Sequence, residues 1–365
     1  MAHVIISLGT GGAESMLIKL IENSYQSVTH HIYLLQEEHE NSDYLRKLGV
    51  KVQTVNAFQL FSRLRKENFE IVIGWLFHGM LLTAFAKMLS LTNCKFVWNI
   101  RYSEFPKTDK KSKGLVQLLR FFSKFVDAII YNSNSGKRHH EEIGYSTHNS
   151  IVIENGFDTE LFIPNINRKK EFVLKHDLEA NAFIFGMVAR FDKLKNQINF
   201  INTAYEFLQN TPELERPIYF VFAGKNMLLD NEQIKVVLSS LNKTEHFIFL
   251  GEQKQLQHLY PCFDVHCLNS LTEGFPNVIG EAMSCGIPCI STNVGDVQRL
   301  LDSCGWLIPP NKKSALLAAL TRAYFTPQAE RNKLGQLSRK HILDEYSIKK
   351  IVNKYLDFFN KIIGT

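Results

Sequence analysis

Short apolar runs alternate with amphipathic runs along the 365 residues of this chain. In the first half, apolar runs predict β-strands over His3–Ser7, His31–Leu35, Lys51–Val55, Glu70–Trp75, Lys95–Asn99, Ala128–Tyr131 and Ile151–Ile153. Apolar residues at helical spacing lie between most of them, for example over Ala13–Glu22, Phe58–Lys66 and Asn134–Glu142. This repeated alternation predicts a parallel sheet with helices on both faces.

The same pattern starts again in the second half of the chain. Residues 154–182 are polar and indicate an irregular linker, with Pro164 and the basic run Arg168–Lys170. Strands are then predicted over Phe183–Val188, Ile218–Ala223, His246–Leu250, Val265–Leu268, Pro288–Ser291 and Trp306–Ile308. The chain is therefore predicted to form two α/β units. Because open α/β sheets bind ligands at the carboxyl ends of their strands, two facing sheets would share one deep cleft.

Two further stretches need interpretation. The run from Ile71, IVIGWLFHGMLLTAFAKMLSL, is nearly long enough to cross a bilayer. Gly74, His78 and Gly79 interrupt it, so a strand over Ile71–Trp75 and a helix over Met80–Leu89 explain it better. The stretch Ser347–Ile363 has helical period, and its apolar face must be buried.

Composition indicates an ordinary folded protein, with 45% hydrophobic and 21% charged residues. The six cysteines form no CxxC pair, so neither a zinc ribbon nor a thioredoxin-like site is supported. Most of them lie in apolar strings, so we expect buried free thiols in a reducing compartment rather than disulfides. The first residues lack a basic segment and a cleavage-like site, so we expect no secretory signal.

The net charge of +6 is concentrated in one segment. Residues 101–138 contain nine Lys or Arg and three acids, and the remainder of the chain is balanced. Such a surface suits an anionic partner, such as phospholipid headgroups or a lipid diphosphate. A solvated lysine-rich loop is the alternative, and the sequence leaves both open.

The most informative motif is SLTEGFPNVIGEAMSCGIPCIST, from Ser270 to Thr292. A helix from about Pro276 to Ser284, with Gly286 as its C-terminal stop, would point its first amides at an anion. Glu273 in the loop and Glu281 in the helix could then accept hydrogen bonds from sugar or ribose hydroxyls. The motif therefore suits a ligand that has both an anionic group and several hydroxyl groups, as a nucleotide sugar has. On spacing alone, the alternative of two solvated acids is equally open.

Two other loops follow predicted strands. In GMVARFDKLKNQ, from Gly186, the cations Arg190, Lys193 and Lys195 precede a helix, which suits a diphosphate, although a basic surface loop is the alternative. In SLGTGGAES, from Ser7, glycines follow the first strand and allow close approach of a phosphate or sugar. The GxGxxG order and a Walker A motif are absent, which disfavours a nicotinamide cofactor and a P-loop.

Together these motifs resemble the retaining family-four glycosyltransferases of the GT-B fold, over nearly the whole chain and in the same order. The segments that carry the resemblance are Gly11–Glu14, Glu154–Asp158, Arg190 with Lys195, and the Glu273-x7-Glu281 block with its GFPN core. The resemblance implies two Rossmann-like doubly wound domains that face a central cleft. It implies an acceptor domain over residues 1–160, a donor domain over 161–344, and a C-terminal helix, 345–365, that returns to the first domain.

The resemblance also implies residue roles. Arg190 and Lys195 would hold the donor diphosphate and stabilise the leaving group, and Glu273 would contact the transferred sugar. Glu281 would bind the ribose hydroxyls. Gly12 and the loop residues Gly274, Phe275, Pro276, Asn277 and Val278 would cradle the diphosphate and sugar. We expect no metal and no cofactor besides the co-substrate, a UDP-sugar, because cations replace the metal in this family.

The acceptor side departs from the family in one position. Many relatives place a histidine at the end of the fifth strand, whereas this chain has Trp98-Asn99-Ile100-Arg101. Arg101 could serve there instead, as an electrostatic or acceptor-phosphate contact, with Glu14 and His78 as further acceptor-side candidates. His78 could equally be structural.

The resulting hypothesis is that the protein is a hexosyltransferase that helps to synthesise a surface polysaccharide, such as lipopolysaccharide or capsule. Its acceptor would be a polyprenyl-diphosphate-linked saccharide, and no nucleic-acid partner is expected. We expect a cytoplasmic protein that is peripheral at the inner face of the cell membrane and binds it through residues 101–138. A sugar-nucleotide epimerase or hydrolase on the same fold and a non-catalytic binding protein remain as alternatives.

Overall fold

The computed structural model describes residues 1–9, 11–89, 92–102, 110–211 and 215–364, and for residues 110–113 it describes the backbone alone. The chain divides into two compact units. Unit 1 comprises Met1–Gly156 and the residues from Ile348 onward, and unit 2 comprises Phe157–Ser347. The sequence had instead indicated boundaries after residues 160 and 344.

Unit 1 alternates strands and helices from its first residues. Its strands are β1 (Ala2–Ile5), β2 (His31–Leu34), β3 (Lys51–Thr54), β4 (Ile71–Trp75), β5 (Lys95–Ile100), β6 (Ala128–Tyr131) and β7 (Ser150–Val152). Its helices are α1 (Gly12–Glu22), α2 (Glu40–Lys47), α3 (Ala57–Lys66), α4 (Leu76–Met88), α5 (Lys110–Phe122), α6 (Asn134–Glu142) and, at the end of the chain, α15 (Ile348–Ile363).

Unit 2 repeats the alternation. Its strands are β8 (Phe183–Val188), β9 (Ile218–Ala223), β10 (Phe247–Phe249), β11 (Val265–Leu268), β12 (Cys289–Thr292) and β13 (Gly305–Ile308). Its helices are α7 (Ile166–Lys175), α8 (Gln197–Asn210), α9 (Glu232–Leu238), α10 (Leu256–Leu259), α11 (Asn277–Ser284), α12 (Val297–Leu301), α13 (Lys313–Phe325) and α14 (Gln328–His341).

Both sheets have the doubly wound topology that the sequence predicted. Among the described residues, the order is β3-β2-β1-β4-β5-β6-β7 in unit 1 and β10-β9-β8-β11-β12-β13 in unit 2, and the paired strands are parallel. The chain changes direction across each sheet between β1 and β4, and again between β8 and β11. Loops that leave two such neighbouring strands diverge, which opens a crevice at the carboxyl edge of the sheet.

The apolar run from Ile71 forms a strand and a helix, as predicted. In the described part of the chain, no helix is both long and apolar enough to span a membrane. The two glycines that interrupt the run permit tight packing, because a Cβ on Gly79 would stand 2.3 Å from the Val4 carbonyl oxygen. A Cβ on Gly74 would stand 2.4 Å from Thr83 Oγ1. Helix α4 therefore lies directly against β1 and β4.

The prediction of an irregular linker over residues 154–182 was wrong. Helix α7 occupies Ile166–Lys175 and begins at Asn165, whose side chain accepts a hydrogen bond from the Asn167 amide. Only Phe172 and Val173 of this helix are buried, so its apolar signal is weak among lysines and arginines. An N-cap and two buried apolar side chains suffice because most of a helix's stability in a folded protein comes from tertiary packing.

The prediction for the C-terminal helix is confirmed. Helix α15 belongs to unit 1, where it buries Ile348, Ile351, Val352, Tyr355 and Phe359. The six cysteines are all free and buried, as predicted, and the reducing compartment stays a prediction.

Aromatic rings join the strands of unit 2. Phe220 lies in register with Phe185 on one side and Phe247 on the other. Its ring stacks on theirs at centroid distances of 5.2 and 5.6 Å. Each such pair adds about 1 kcal/mol to what area burial alone provides. The second sheet is thus held by side-chain stacking as well as by its backbone ladder.

A directional hydrogen-bond chain is buried in unit 1. Trp75 Nε1 can only donate, so His3 Nδ1 accepts from it at 3.2 Å. His3 Nε2 must then carry the proton and donate to His30 Nδ1 at 2.9 Å. His30 Nε2 donates to Ser24 Oγ, and that hydroxyl donates to the Leu20 carbonyl at 2.6 Å. Both imidazoles are therefore held neutral.

From these buried hydrogen-bonded histidines we expect the protein to lose stability in acid. Burial, followed by the nearby N-terminal amine, lowers the pKa of His30 to about 4, and burial lowers that of His3 as well. Because the folded pKa lies below the unfolded one, stability is lost as the pH falls from 6.5 towards 4. For His30 alone, we expect the free energy of unfolding to drop by about 1 kcal/mol between about pH 7.5 and 5.5.

Urea unfolding in a Trp306→Phe background measures this drop, because the two remaining tryptophans, Trp75 and Trp98, both lie in unit 1. The variant His30→Gln should be less stable at neutral pH but should depend less steeply on pH. An unchanged pH slope in that variant would contradict the assignment.

Candidate active site

The strongest candidate residues of unit 2 follow β8 and β11, the two strands between which its sheet changes direction. Arg190 and Lys195 lie in the loop after β8, and Glu273 lies in the loop after β11. Since the strands are parallel neighbours, their carboxyl ends meet at the same edge. The cations and the acid are thereby brought together across a long sequence separation.

The loop after β8 is organised by Asp192. Its carboxylate accepts from the Leu194 amide at 2.9 Å and caps a short 3-10 turn over Lys193–Lys195. The same carboxylate pairs with the exposed Arg190 guanidinium at 2.9 Å. Burial raises the pKa of Asp192, but the Leu194 amide, Arg190 and Lys195 outweigh it, and the pKa is lowered overall. Arg190 and Lys195 thus act on one common carboxylate.

Lys195 reaches the second loop. Its ammonium forms a close ion pair with Glu273 Oε1, and the same oxygen accepts from the Ser270 hydroxyl at 2.6 Å. The side chains are largely buried, with 21% of Lys195 and 12% of Glu273 exposed. Ion pairs that are partly shielded from water are screened far less by salt than surface pairs. The pair places a fixed cation and a fixed acceptor side by side.

Backbone and amide contacts hold the two loops in register. The Leu271 amide donates to the Leu194 carbonyl at 2.7 Å, directly beside the ion pair. Asn269 Nδ2 donates to the Asn196 carbonyl and to Asn199 Oδ1, both at 3.2 Å. Asn196 itself has a left-handed conformation, with φ of 58°, at the start of α8. The basic and the acidic loop therefore form one rigid assembly.

The GFPN segment leads into α11, whose first turn carries no acidic residue and no side-chain cap. Pro276 is the N-cap of this helix rather than its first residue, so the predicted start was one residue early. Positive partial charge at this end favours an anion. The preceding loop is held by the Asp296 amide, which donates to the Gly274 carbonyl at 2.9 Å.

Glu281 lies one turn into α11 and is half-buried. Its carboxylate accepts from the Tyr260 hydroxyl at 2.8 Å. Burial, and then the charge of Glu281, raise the pKa of Tyr260 well above its ordinary value, so the phenol stays protonated. One oxygen of Glu281 is thus oriented by a donor from unit 2 itself. In the described residues its bond is to Tyr260 and not to the Lys195–Glu273 pair.

In unit 1, three candidates follow the neighbouring strands β1, β4 and β5. Gly11 caps α1 and Gly12 begins it, and the Glu14 carboxylate folds back so closely that a Cβ on Gly11 would stand 2.3 Å from it. His78 is exposed in the first turn of α4. Arg101 follows β5 directly. These side chains therefore stand along one edge of the first sheet.

Arg101 has partners within the protein. Its guanidinium donates to Asn155 Oδ1 and to the Tyr355 hydroxyl of α15, which also accepts from Asn99 at 3.0 Å. It lies 5.8 Å from the ring centroids of both Trp75 and Tyr355. Burial lowers its pKa, which the nearby Tyr355 and Glu154 partly offset. Arg101 thus joins β5 to the last helix, and a role towards substrate stays a prediction.

The Glu154–Asp158 segment has structural contacts in both units. Lys354 of α15 approaches Glu154 at 3.3 Å, and a Cβ on Gly156 would stand 2.7 Å from Ile348. In unit 2, the ring of Phe157 fills the space that a side chain at position 280 would need, since a Cβ on Gly280 would stand 2.0 Å from it. This segment therefore explains why Gly156 and Gly280 are glycines.

Comparison with known proteins decides the family. The Glycosyltransferase Family 4 model matches residues 33–161 and the Glycosyl transferases group 1 model matches residues 168–341. An Escherichia coli UDP-Gal:alpha-D-GlcNAc-diphosphoundecaprenol alpha-1,3-galactosyltransferase is 30% identical over 86% of this chain and 81% of its own. The chain belongs to the family-four glycosyltransferases. The O-antigen biosynthesis glycosyltransferase WclY of Escherichia coli is 23% identical over 99% of this chain and 98% of its own. This glycosyltransferase therefore acts in bacterial glycan synthesis.

The solved structures establish the fold of the transferase. Anabaena HepE in complex with UDP superposes with a TM-score of 0.85 over 99% of both chains, at 17% identity. The same protein in complex with UDP-glucose superposes with a TM-score of 0.83, at 16% identity, over 99% of this chain and 100% of that one. The GT-B fold that the sequence motifs predicted is thereby confirmed.

Sequence reasoning missed several residues that hold the candidate site together. Asp192, Asn269, Ser270 and Tyr260 each hold a predicted residue or loop in place. Asn269 and Ser270 directly follow a buried strand, and polar residues at that position could have been recognised. Tyr260 gives no such signal, because its bond to Glu281 joins residues that lie 21 positions apart.

The packing of the Glu273 loop can be tested by one methyl group. Gly295 has a φ of +58°, and a Cβ there would stand 2.3 Å from the Glu273 carbonyl oxygen. Gly49 also has positive φ, +85°, but faces open space. We expect Gly295→Ala to lower the free energy of unfolding by about 1–3 kcal/mol more than Gly49→Ala, because it adds a clash to the backbone strain.

Urea unfolding followed by tryptophan fluorescence measures both variants, because Trp306 reports on unit 2, which contains Gly295, and Trp75 and Trp98 report on unit 1, which contains Gly49. Equal losses in the two variants would show that the Glu273–Gly274 loop yields freely.

Proposed function

We propose that this glycosyltransferase moves a sugar from a UDP-sugar to a polyprenyl-diphosphate-linked saccharide, with retention of the anomeric configuration. The observation that carries the proposal is the Lys195–Glu273 pair at the switch point of the second sheet, beside the uncapped start of α11. A cation and a helix N-terminus suit a diphosphate, and a neighbouring carboxylate suits hydroxyl groups. These groups at one edge of the sheet thus offer both chemistries that a nucleotide sugar requires.

On the donor side, Lys195 binds the diphosphate and stabilises the charge that develops as the bond to the sugar breaks. The exposed Arg190 adds a second cation. To bind a phosphate oxygen, its guanidinium must give up its ion pair with Asp192. Glu273 accepts hydrogen bonds from hydroxyl groups of the transferred sugar. Glu281, held by Tyr260, accepts from the ribose. Gly12 and the segment Gly274–Val278 allow the backbone to approach the ligand closely.

Neither a metal nor another cofactor is needed in this proposal, because Lys195 and Arg190 supply the positive charge. The acceptor hydroxyl attacks from the side that the diphosphate leaves, and the leaving phosphate takes its proton. Oxygen–carbon bond formation and cleavage then occur on one face of the sugar, which accounts for retention.

Glu14, His78 and Arg101 mark the acceptor side, since they lie at the ends of three neighbouring strands. Because Arg101 is bonded to Asn155 and Tyr355, it acts as a positioning residue at this edge. A lipid-diphosphate acceptor is supported by the name of the Escherichia coli galactosyltransferase relative, whose acceptor is a diphosphoundecaprenol-linked sugar.

Substitutions in the crevice test the donor site. Lys195→Met should lower kcat/KM by about 1000-fold, because it removes the cation that stabilises the leaving group and leaves Glu273 without its cationic partner. Glu281→Gln should chiefly raise KM for the donor. Lys193→Met is the matched control, since this exposed lysine lies in the same turn.

Transfer is measured with a polyprenyl-diphosphate-linked acceptor after UDP-, GDP- and ADP-sugars have been screened for thermal stabilisation. Nuclear magnetic resonance of the product reports the anomeric configuration. Near-normal activity of Lys195→Met would exclude the donor assignment. Turnover of the donor without any acceptor would favour the epimerase or hydrolase alternative.

We also propose that the transferase docks on an anionic membrane through the basic segment 101–138. Residues 103–109, and the side chains of 110–113, lie outside the described part. In the remainder, Leu118, Phe121 and Phe125 are exposed beside Arg120 and Lys124, with Phe121 at 55% exposure. Exposed aromatic rings next to cations are typical of surfaces that insert at the headgroup level.

Vesicle binding tests the docking surface. Binding to phosphatidylglycerol vesicles should weaken as salt rises, and the double variant Phe121→Ser with Phe125→Ser should bind about tenfold less tightly. Phe325→Ser is the control, because this phenylalanine is 57% exposed but belongs to unit 2. Salt-insensitive binding, or an equal loss in the control, would remove the docking surface.

A further inference from the structure

A second cluster of charged residues lies at the opposite edge of the second sheet. Asp264 directly precedes β11, and its carboxylate pairs closely with Lys169 of α7. The same carboxylate accepts from the Ile184 amide at 2.8 Å and lies 3.7 Å from Arg216, just before β9. These residues stand at the amino ends of the strands, whereas the Lys195–Glu273 pair stands at the carboxyl ends. The cluster is therefore separate from the proposed donor site.

Arg331 of α14 adds a third cation to this cluster. Its side chain is almost fully buried, with the residue 5% exposed, and its guanidinium lies 4.8 Å from the centroid of the Phe183 ring. Nη1 donates to the carbonyls of Tyr324 and Thr326. In the described part of the chain, Nε and Nη2 make no hydrogen bond. These two donors are therefore available to an acceptor that enters from outside the protein.

The charges in the cluster do not balance. Among the described residues, Asp264 is the one carboxylate whose charge acts on Lys169 and on Arg331. The cluster contains three cations, Lys169, Arg216 and Arg331. Burial lowers the pKa of both Lys169 and Arg331, and the attraction of Asp264 does not restore either value. An excess of two positive charges is thus held in a largely buried place, which is costly without a counter-ion.

A cavity of about 220 Å³ adjoins these groups. Its polar lining is formed by Lys169, Asp264, Arg331 and the amide side chains of Asn165, Gln328 and Asn332. Gln328 is also the first residue of α14, which has no side-chain cap. The amides of Gln328 and Ala329 have no acceptor in the described part of the chain, as is usual for the first residues of a helix, and this first turn also contains Glu330. The cavity is far larger than one ordered water requires.

We infer that this cavity is a second anion site, which binds a phosphate dianion, either free or as the monoester of a small metabolite. Lys169 and the unbonded edge of Arg331 would bind its oxygens, and the first turn of α14 would add its amides. Asp264 keeps the ligand on the Arg331 side of the cavity by repulsion. Lys169 and Arg331 line the cavity together with the single carboxylate of Asp264, so a bound anion offsets positive charge there. The inference does not depend on the proposed transfer reaction.

Calorimetric titration and thermal unfolding of the full-length protein test the site, with inorganic phosphate added at constant ionic strength. All measurements use the Lys195→Met background, which disables the proposed donor site. We expect saturable binding that weakens about tenfold or more in Lys169→Met and in Arg331→Met. Arg168→Met is the matched control, because this neighbour on α7 forms its ion pair with the exposed Glu171, among the described residues, and does not line the cavity. Its phosphate affinity should be unchanged.

Each outcome has a defined meaning. If Lys195→Met alone abolishes phosphate binding, or if Lys169→Met binds like Arg168→Met, the cavity is not an anion site. If Arg331→Met does not fold, because two carbonyls lose their donor, Lys169→Met decides alone. Titration with a hexose phosphate separates the two sources of the ligand, since tighter binding than phosphate assigns a monoester and equal or weaker binding assigns the free ion.

Discussion

The ion pair between Lys195 and Glu273 depends on a single topological fact, the adjacency of β8 and β11. These strands are far apart along the chain, yet their loops leave one edge of the sheet side by side. The Leu271–Leu194 hydrogen bond and the Asn269 amide then fix the loops before any ligand arrives. Preorganisation of this kind lets a charged site act without a reorganisation cost at the moment of reaction.

The sheets were predictable because buried parallel strands are continuous apolar runs that are separated by polar loops and amphipathic helices. Phe183–Val188, Ile218–Ala223 and Val265–Leu268 were placed at their observed bounds for this reason. Helix α7 was missed because two buried residues among lysines and arginines give almost no periodic signal. Local pattern therefore sufficed where the core itself dictates the residues.

The candidate site was only partly predictable. Arg190, Lys195, Glu273 and Glu281 could be proposed from the motifs of their own loops, but their partners could not. Arg101 shows the limit, since it stands after a strand like a substrate contact and yet bonds a tyrosine 254 positions later. Tyr260 and Asp192 likewise take their importance from tertiary contacts, which no window of sequence contains. Which side chains orient a reactive group is decided by packing, and packing is not local.

The return of α15 to the first unit also affects how the protein is made. This helix covers Asn99 and Arg101 through Tyr355, and it packs against α1. All of unit 2 is synthesised before Ile348 leaves the ribosome. The amino-terminal unit must therefore wait, with an apolar face uncovered and one buried guanidinium lacking its phenol, until the whole of unit 2 has been synthesised. Domain-by-domain folding from the amino terminus, usual for multidomain chains, cannot finish in order here.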